Sequence, residues 1–282
     1  MATPLVSVLT PSFNQGHWLP ANLQSVRRQT YPEIEQVVMD GGSTDGTLDL
    51  LRQSDSVRLT WRSEPDDGQA NAINKAFALS RGEIIGWLNS DDAYFGPDVV
   101  AQAVRVFEDH PDVAVVYGHA LMIDATGHAL QIMWVPSFDR RLLKLHDLIV
   151  QPAAFIRRSA VDDSLVDESF DFAMDYELWL RLSARHRFLR LDRIVAVDRH
   201  HAARKSYMLP AVRSDLGSLT ARYRLPQGPG VSTVRKAWKI GARLAGVRLL
   251  PAALREPTAF EIGRDVGLGL AFRQVAVPRS RM

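Results

Sequence analysis

Along its first half the chain alternates short apolar runs with segments whose apolar positions recur at helical spacing. Leu5-Val6-Ser7-Val8-Leu9 reads as a strand, closed by the turn formers Thr10-Pro11-Ser12. Over 18–28, Leu19, Leu23 and Val26 share one helical face. Residues 34–39 form the next apolar run and end on Asp40-Gly41-Gly42, after which Ser43 or Thr44 caps a helix carrying Leu48, Leu50 and Leu51. The alternation continues with a strand over 57–61, a helix over 68–80 and a strand over 83–88 that runs into Asn89-Ser90-Asp91-Asp92. Pro97 opens a further helix, because a missing N–H costs nothing in a first turn. Strands follow over 113–117 and 130–135, an antiparallel placement being open for the second. Beyond Pro136 the pattern loosens into a helix over 175–184, one or two short strands over 188–197 and a helix over 210–223. Leu225-Pro226-Gln227-Gly228-Pro229-Gly230 reads as a linker. The pattern predicts an α/β fold with a mostly parallel central sheet over 1–225, and a basic helical extension over 226–282.

Polar clusters close four successive strands, at 11–14, 40–43, 64–67 and 89–92. In open α/β sheets ligands bind along that carboxyl edge. Neither a GxGxxG turn nor a GxxxxGK[ST] loop is present, so a diphosphate has no glycine-rich cradle here. Adjacent carboxylates such as Asp91-Asp92 repel one another, and a divalent cation that also binds phosphate oxygens relieves the repulsion. The competing reading of the pair is a turn-capping role.

Composition narrows the chemistry. With 282 residues and 46% apolar side chains the chain can bury a core without staples, and the absence of cysteine excludes disulfides and thiolate metal sites. A metal here is Mg²⁺ or Mn²⁺, on carboxylate, imidazole and substrate oxygen. The tail from Pro226 holds ten lysines and arginines against three acids, Glu256, Glu261 and Asp265, so the excess charge is local and nucleic acid is not an expected partner. The N-terminus lacks a basic region followed by a long apolar run, and no apolar run is long enough to span a bilayer. A cytoplasmic protein is expected.

Three motifs then carry a resemblance: Val6-Ser7-Val8-Leu9-Thr10-Pro11-Ser12-Phe13-Asn14, Asp40-Gly41-Gly42-Ser43-Thr44-Asp45-Gly46-Thr47 and Leu88-Asn89-Ser90-Asp91-Asp92. In order and separation they resemble the inverting GT-A glycosyltransferases of family 2, and the stretch from Glu64 to Ala76 resembles a signature of bacterial polysaccharide-forming members. The resemblance covers roughly residues 4 to 206. It implies a donor of UDP or GDP type held by Pro11, Phe13, Asn14 and Asp40 at the base and by Asp91 at the ribose or sugar. Gln69 and Asn74 would meet donor hydroxyls and Lys75 phosphate, with Lys75 equally readable as a solvated helix residue. It also implies a divalent metal, Mn²⁺ or Mg²⁺, on Asp92. Asn89 stands where the family often has Asp, which weakens a direct ligand role there.

Phe172-Ala173-Met174-Asp175-Tyr176-Glu177 resembles the segment that supplies the family's base, with Met174 in place of the usual Glu; this makes Asp175 the base and leaves an N-cap role as the alternative. Glu177, two residues further along a helix, points elsewhere. Arg199-His200-His201-Ala202-Ala203-Arg204-Lys205-Ser206 resembles an element that would give His201 to the metal or diphosphate, with Arg199 and Lys205 balancing leaving-group charge. Gln151-Pro152-Ala153-Ala154-Phe155 falls on the acceptor side, the acceptor being a hydroxyl on a glycan or a lipid-linked glycan. Over 231–250, Val234, Trp238, Leu244 and Val247 alternate with Arg235, Lys236, Lys239, Arg243 and Arg248. That pattern fits an interfacial helix on the anionic inner face of the cytoplasmic membrane, or a helix packed on the catalytic domain. A nucleotidyltransferase and a non-catalytic carbohydrate-binding protein are the rival readings of the whole chain.

Overall fold

A computed structural model describes residues 3–54, 56–202 and 209–253, with backbone alone over 209–211 and 247–253. Strands β1 (Val6–Ser12), β2 (Ile34–Asp40), β3 (Leu59–Ser63) and β4 (Ile84–Trp87) lie parallel in the order β3-β2-β1-β4. β1, β2 and β4 are buried along their whole length, as strands covered on both faces must be. On one face Leu9, Val37 and Ile85 pack against Ile73 and Phe77 of α3 (Gln69–Leu79) and against α6 (Met174–Leu182). On the other, Val6, Val8 and Ile84 meet Val26 of α1 (Leu19–Arg27) and Val100 and Phe107 of α4 (Val99–Asp109).

β1 runs through Thr10-Pro11-Ser12, past the expected turn, because those residues keep pairing with Val38, Met39 and Asp40 of β2. On its other side β1 pairs with β4 only as far as Leu9. Pro11, which has no N–H to give, therefore sits where one ladder has ended. The sheet parts at that point, and the crevice opens there.

The second half of the sheet is mixed rather than parallel. Short β8 (Ala154–Arg157), which has no alternation of its own, runs against both β4 and β6 (Val113–Asp124). β9 (Arg187–His200) lies parallel to β6, while β5 (Ala93–Tyr94) and β7 (Ala129–Met133) run antiparallel to β9 and β6 respectively. β6 and β9 are longer than their apolar runs suggest, and the register between them shifts around Gly118, where a Cβ would meet Val195 at 2.5 Å. Such shifts bend a sheet.

Two helix starts differ from expectation. α2 (Thr47–Gln53) begins at Gly46, φ 90°, not at a Ser43 or Thr44 cap; the Asp45 carboxylate takes the Thr47 N–H at 3.1 Å and supplies the turn instead. α4 is preceded by Asp98, leaving Pro97 outside. α5 (Arg140–Leu145) is capped by Asp139. α7 (Leu209–Tyr223) and α8 (Pro229–Ala253) complete the fold. α8 packs back across β7: Trp238 lies 5.8 Å from Trp134, Gly246 abuts the Ile132 carbonyl, and Arg235 Nε donates to Leu145 O at 2.5 Å. Among the described residues no helix is long and apolar enough to cross a membrane.

Candidate functional site

Where β1 and β4 part, a cleft of about 1180 Å³ opens. Its walls bring together Pro11 and Phe13 after β1, Gln69 of α3, the Asn89–Asp92 turn, Gln151, Asp175 of α6 and His201 after β9. Segments far apart in sequence thus converge on one carboxyl-edge crevice. Phe13 is 60% exposed, an aromatic face open to a flat ligand. Beside it Ser12 Oγ and Gln15 Oε1 are buried on the same wall without hydrogen-bond partners among the described residues. Buried polar atoms of that kind are what a bound polar ligand satisfies.

The turn after β4 is held from beneath. Asn22, fully buried on α1, donates to the carbonyls of Asn89 at 2.8 Å and Asp92 at 3.2 Å, and its Oδ1 accepts from Gln36 Nε2 at 2.7 Å. Asn89 is the hub above it. Its Oδ1 accepts from Gln69 Nε2 and Trp87 Nε1, both at 2.9 Å, and its Nδ2 donates to Gln151 Oε1 at 2.9 Å. An amide can donate and accept at once, which a carboxylate in its place cannot. Asn22 carries no sequence signal: its spacing marks only a position between Leu19 and Val26. Asn22→Ala removes both carbonyl bonds and leaves Gln36 Nε2 only its bond to Thr10 Oγ1, so it should lower stability by about 1–3 kcal/mol and lower turnover by loosening the turn. Chemical denaturation beside a turnover assay checks this; wild-type stability would refute it.

Asp92, buried, accepts the Arg199 backbone N–H on Oδ1 at 3.0 Å. Asp91 Oδ2 lies 2.9 Å from His201 Nε2. The Arg199 guanidinium lies behind the turn, giving Nε–H to the Asp91 carbonyl at 3.1 Å and lying 4.6 Å over the Trp18 ring. Burial pulls its pKa down, while Asp92 and Asp91 push it up. His201 stacks on the same Trp18 at 5.3 Å. The His201 imidazole thus meets Asp91 directly, and Arg199 neutralises the turn from within without reaching the cleft wall.

Asp175 occupies the first turn of α6 and lines the cleft. Two helices fix it. Leu178, Trp179 and Leu182 are buried in the core. Asp215 of α7 accepts from the N–H groups of Asp171, Phe172 and Ala173 at 2.9, 2.6 and 3.0 Å, capping the approach to α6 from another helix. Asp147, also on the cleft wall, faces Asp175 electrostatically. Burial, then the Asp175 charge, holds the Asp147 carboxyl well above the usual range. Two like groups sharing a site raise each other's cost of ionisation, and at Asp147 burial adds to that cost. Glu177 points away, as helix geometry predicts, into a pair with Arg181 at 3.2 Å and a 2.5 Å bond from the Tyr223 hydroxyl.

Other expected residues stand off the cleft wall. Asp40 is buried and takes Gly42 N–H, Ser43 N–H and Ser63 Oγ–H on Oδ2 and Ser43 Oγ–H on Oδ1, so it shapes the turn behind Pro11 and Phe13. Asn14, at φ 52°, ties that loop down by accepting Thr44 N–H at 2.9 Å. Asn74 clasps Val166 and Glu168, and Lys75 pairs with Glu64 at 2.9 Å and donates a hydrogen bond to the Pro65 carbonyl. Lys205 lies outside the described residues. In their place the cleft gains Asp66, which fits because Gly41 has no Cβ: one there would stand 2.6 Å from Asp66 Oδ2.

Residues 7–165 match the family model described as glycosyl transferase family 2. The chain belongs to this family. An uncharacterized glycosyltransferase of Mycobacterium tuberculosis is 35% identical to it over 182 residues, 64% of this chain and 69% of the relative. A PGL/p-HBAD biosynthesis glycosyltransferase of Mycobacterium bovis is 32% identical over 161 residues, 56% of this chain and 61% of that one. Among solved structures, the mannosyltransferase PcManGT from Pyrobaculum calidifontis in complex with GDP-Man and Mn²⁺ superposes with a TM-score of 0.62 at 20% identity, covering 95% of this chain and 81% of the other. TarS 1-349 of S. aureus in complex with UDP-GlcNAc gives 0.59 at 19% identity, over 77% and 66%. The glycosyltransferase thus has a GT-A fold, and it spans less than two thirds of the M. bovis relative and of the TarS fragment.

The donor atoms on the acidic wall suit a hard divalent cation. Asp91, Asp92 and His201 offer oxygen and imidazole nitrogen, and such cations take one or two protein carboxylates and complete their shell with phosphate oxygen. Among the described residues no three ligating side chains converge in a ready-made cage.

Proposed function

We propose that this glycosyltransferase moves a hexosyl group from a UDP- or GDP-type nucleotide sugar to an acceptor hydroxyl by a single, inverting displacement. The observation that carries the reading is the presence of Asp175 and the Asn89–Asp92 turn on walls of one cleft. Pro11, Phe13, Ser12 and Gln15 bind the nucleoside, with Asp40 setting the turn behind them. Asp92 and His201 hold a Mg²⁺ or Mn²⁺ ion beside the diphosphate, with Asp91 toward the ribose or sugar. When bound, that ion supplies charge neutralisation to the leaving diphosphate. Asp175 takes the acceptor hydroxyl proton as the oxygen bonds to the anomeric carbon. The bond from that carbon to the diphosphate oxygen breaks, and the nucleoside diphosphate leaves with its electron pair. Arg199 keeps the 89–92 turn electrically balanced throughout.

A thermal-shift screen of UDP- and GDP-sugars with and without Mn²⁺ tests the donor side, since a ligand that binds only the folded state raises its melting temperature. A shift for one nucleotide class that chelation removes is the expected result. No shift with any nucleotide sugar would overturn the reading.

The side of α8 away from the cleft leaves Val234 and Leu244 exposed, at 48% and 62%, beside cationic residues. We place this side against an anionic membrane surface, with a lipid-linked glycan as acceptor. Apolar side chains flanked by Lys and Arg suit that interface. Val234→Ser/Leu244→Ser should reduce co-sedimentation with phosphatidylglycerol vesicles severalfold, and equal pelleting of variant and wild type would sink the idea.

A further inference from the structure

α8 does more than cover the sheet. Its Lys236, Lys239 and Arg243 line the same cleft as Asp175. Their spacing puts them along one side of the helix. The helix is anchored by Arg235 to the Leu145 carbonyl, by Trp238 beside Trp134 and by Gly246 against Ile132, so this side is a fixed wall.

The cleft has two electrical poles. On the acidic side, Asp91 and Asp92 face Arg199 of β9. Asp147 faces Asp175. Neither pairing uses a cation from α8. Among the described residues Lys236, Lys239 and Arg243 form no ion pair, although acids line other parts of the cleft. Their field is felt locally: His146, on the adjoining wall, is pushed down to about 4 by burial first and then by Lys239 and Arg235. Like charges gathered on one helical side repel, and a wall of this kind gains from an anion supplied by the ligand.

We propose that the α8 wall is an anion subsite that holds a phosphate ester carried by the acceptor. The proposal rests on the reading of this cleft as the transfer site, and adds to it the chemical class of the acceptor. The donor's diphosphate belongs to the opposite pole, where the oxygen and imidazole donors lie. From Lys236 to Arg243 the helix rises about 10 Å. That span suits a diphosphate or successive phosphodiesters better than a single carboxylate. Held there, the acceptor presents its hydroxyl to Asp175 while its charge stays away from the leaving group.

The test uses the full chain with the donor site filled by UDP or GDP and Mg²⁺. Calorimetry with sn-glycerol 3-phosphate, against glycerol as control, should show binding of the phosphate only. The triple variant Lys236→Gln/Lys239→Gln/Arg243→Gln, confined to exposed side chains, should bind it at least about tenfold more weakly, about 1.4 kcal/mol. Its nucleotide-dependent melting shift should equal that of wild type. A parallel arm compares phosphatidylcholine vesicles with and without phosphatidylglycerol. Charge-dependent vesicle binding that the triple variant loses, with no binding of glycerol phosphate, assigns the phosphate to a lipid, and binding of glycerol phosphate alone assigns it to a soluble acceptor. Equal affinity of triple variant and wild type for both probes overturns the subsite, as does a wild type that binds neither. The nucleotide shift in the same samples is read separately, so failure of the donor-site reading is recognised by its own signal.

Discussion

Asp175→Asn is expected to cut sugar transfer by about 10²- to 10⁴-fold, the usual worth of a positioned general base, with nucleotide binding unchanged. The asparagine keeps the shape of the side chain, and its amide oxygen can still accept the Tyr176 N–H that Asp175 Oδ1 accepts at 2.7 Å. The α6 start should therefore survive, since Asp215 caps it from α7 regardless. What is lost is a carboxylate able to take the acceptor's proton. Because burial and the Asp175 charge hold the Asp147 carboxyl above its usual range, removing that charge should let Asp147 ionise more readily but not move it into the acceptor's path. Single-turnover kinetics, with nucleotide affinity measured in parallel, check the split. Full turnover in the variant would remove Asp175 from the base role.

Asp92→Asn is expected to abolish transfer by another route, weakening metal-dependent nucleotide binding on the order of 10- to 100-fold. The amide oxygen still accepts the Arg199 N–H, so the turn keeps its shape while one negative charge disappears from the acidic wall. The loss should be confined to the metal-dependent component: affinity measured with excess chelator should match wild type. Titrations with and without Mn²⁺ separate the two, and equal metal dependence in both proteins would move the ligand role to Asp91 and His201, which already touch.

The parallel half of the fold was legible because both covering layers imprint themselves on the chain: Leu9 and Val8 serve opposite clusters, and the helices show their apolar stripes. The second half was less legible. β8 is four residues with no alternation, and β9 is a single long strand whose outer part is half-exposed. In the site, the Asp91-Asp92 pair and Asp175 announced themselves through motif and position, and all three face the cleft. Asn22, Asp147 and Asp215 could not be read, since each acts on a partner distant in sequence and sits in an unremarkable local pattern. Asn74 shows the converse: its motif suggested a ligand contact, but its neighbours across space are Val166 and Glu168. The tail was legible in part. Its basic helical pattern was plain, but only packing against β7 reveals which cations face the cleft.

The bond from the Arg199 N–H to Asp92 has a consequence for how this enzyme can change. The parallel and mixed halves of the sheet meet along the short β4–β8 seam, and this bond also joins the end of β9 to the turn after β4. On the proposed metal role of Asp92, one carboxylate serves cohesion and chemistry together. Selection for a sturdier joint at position 92 acts on the same atoms as selection for turnover. The trade between robustness and activity that many enzymes spread over whole active sites is concentrated here on a single side chain.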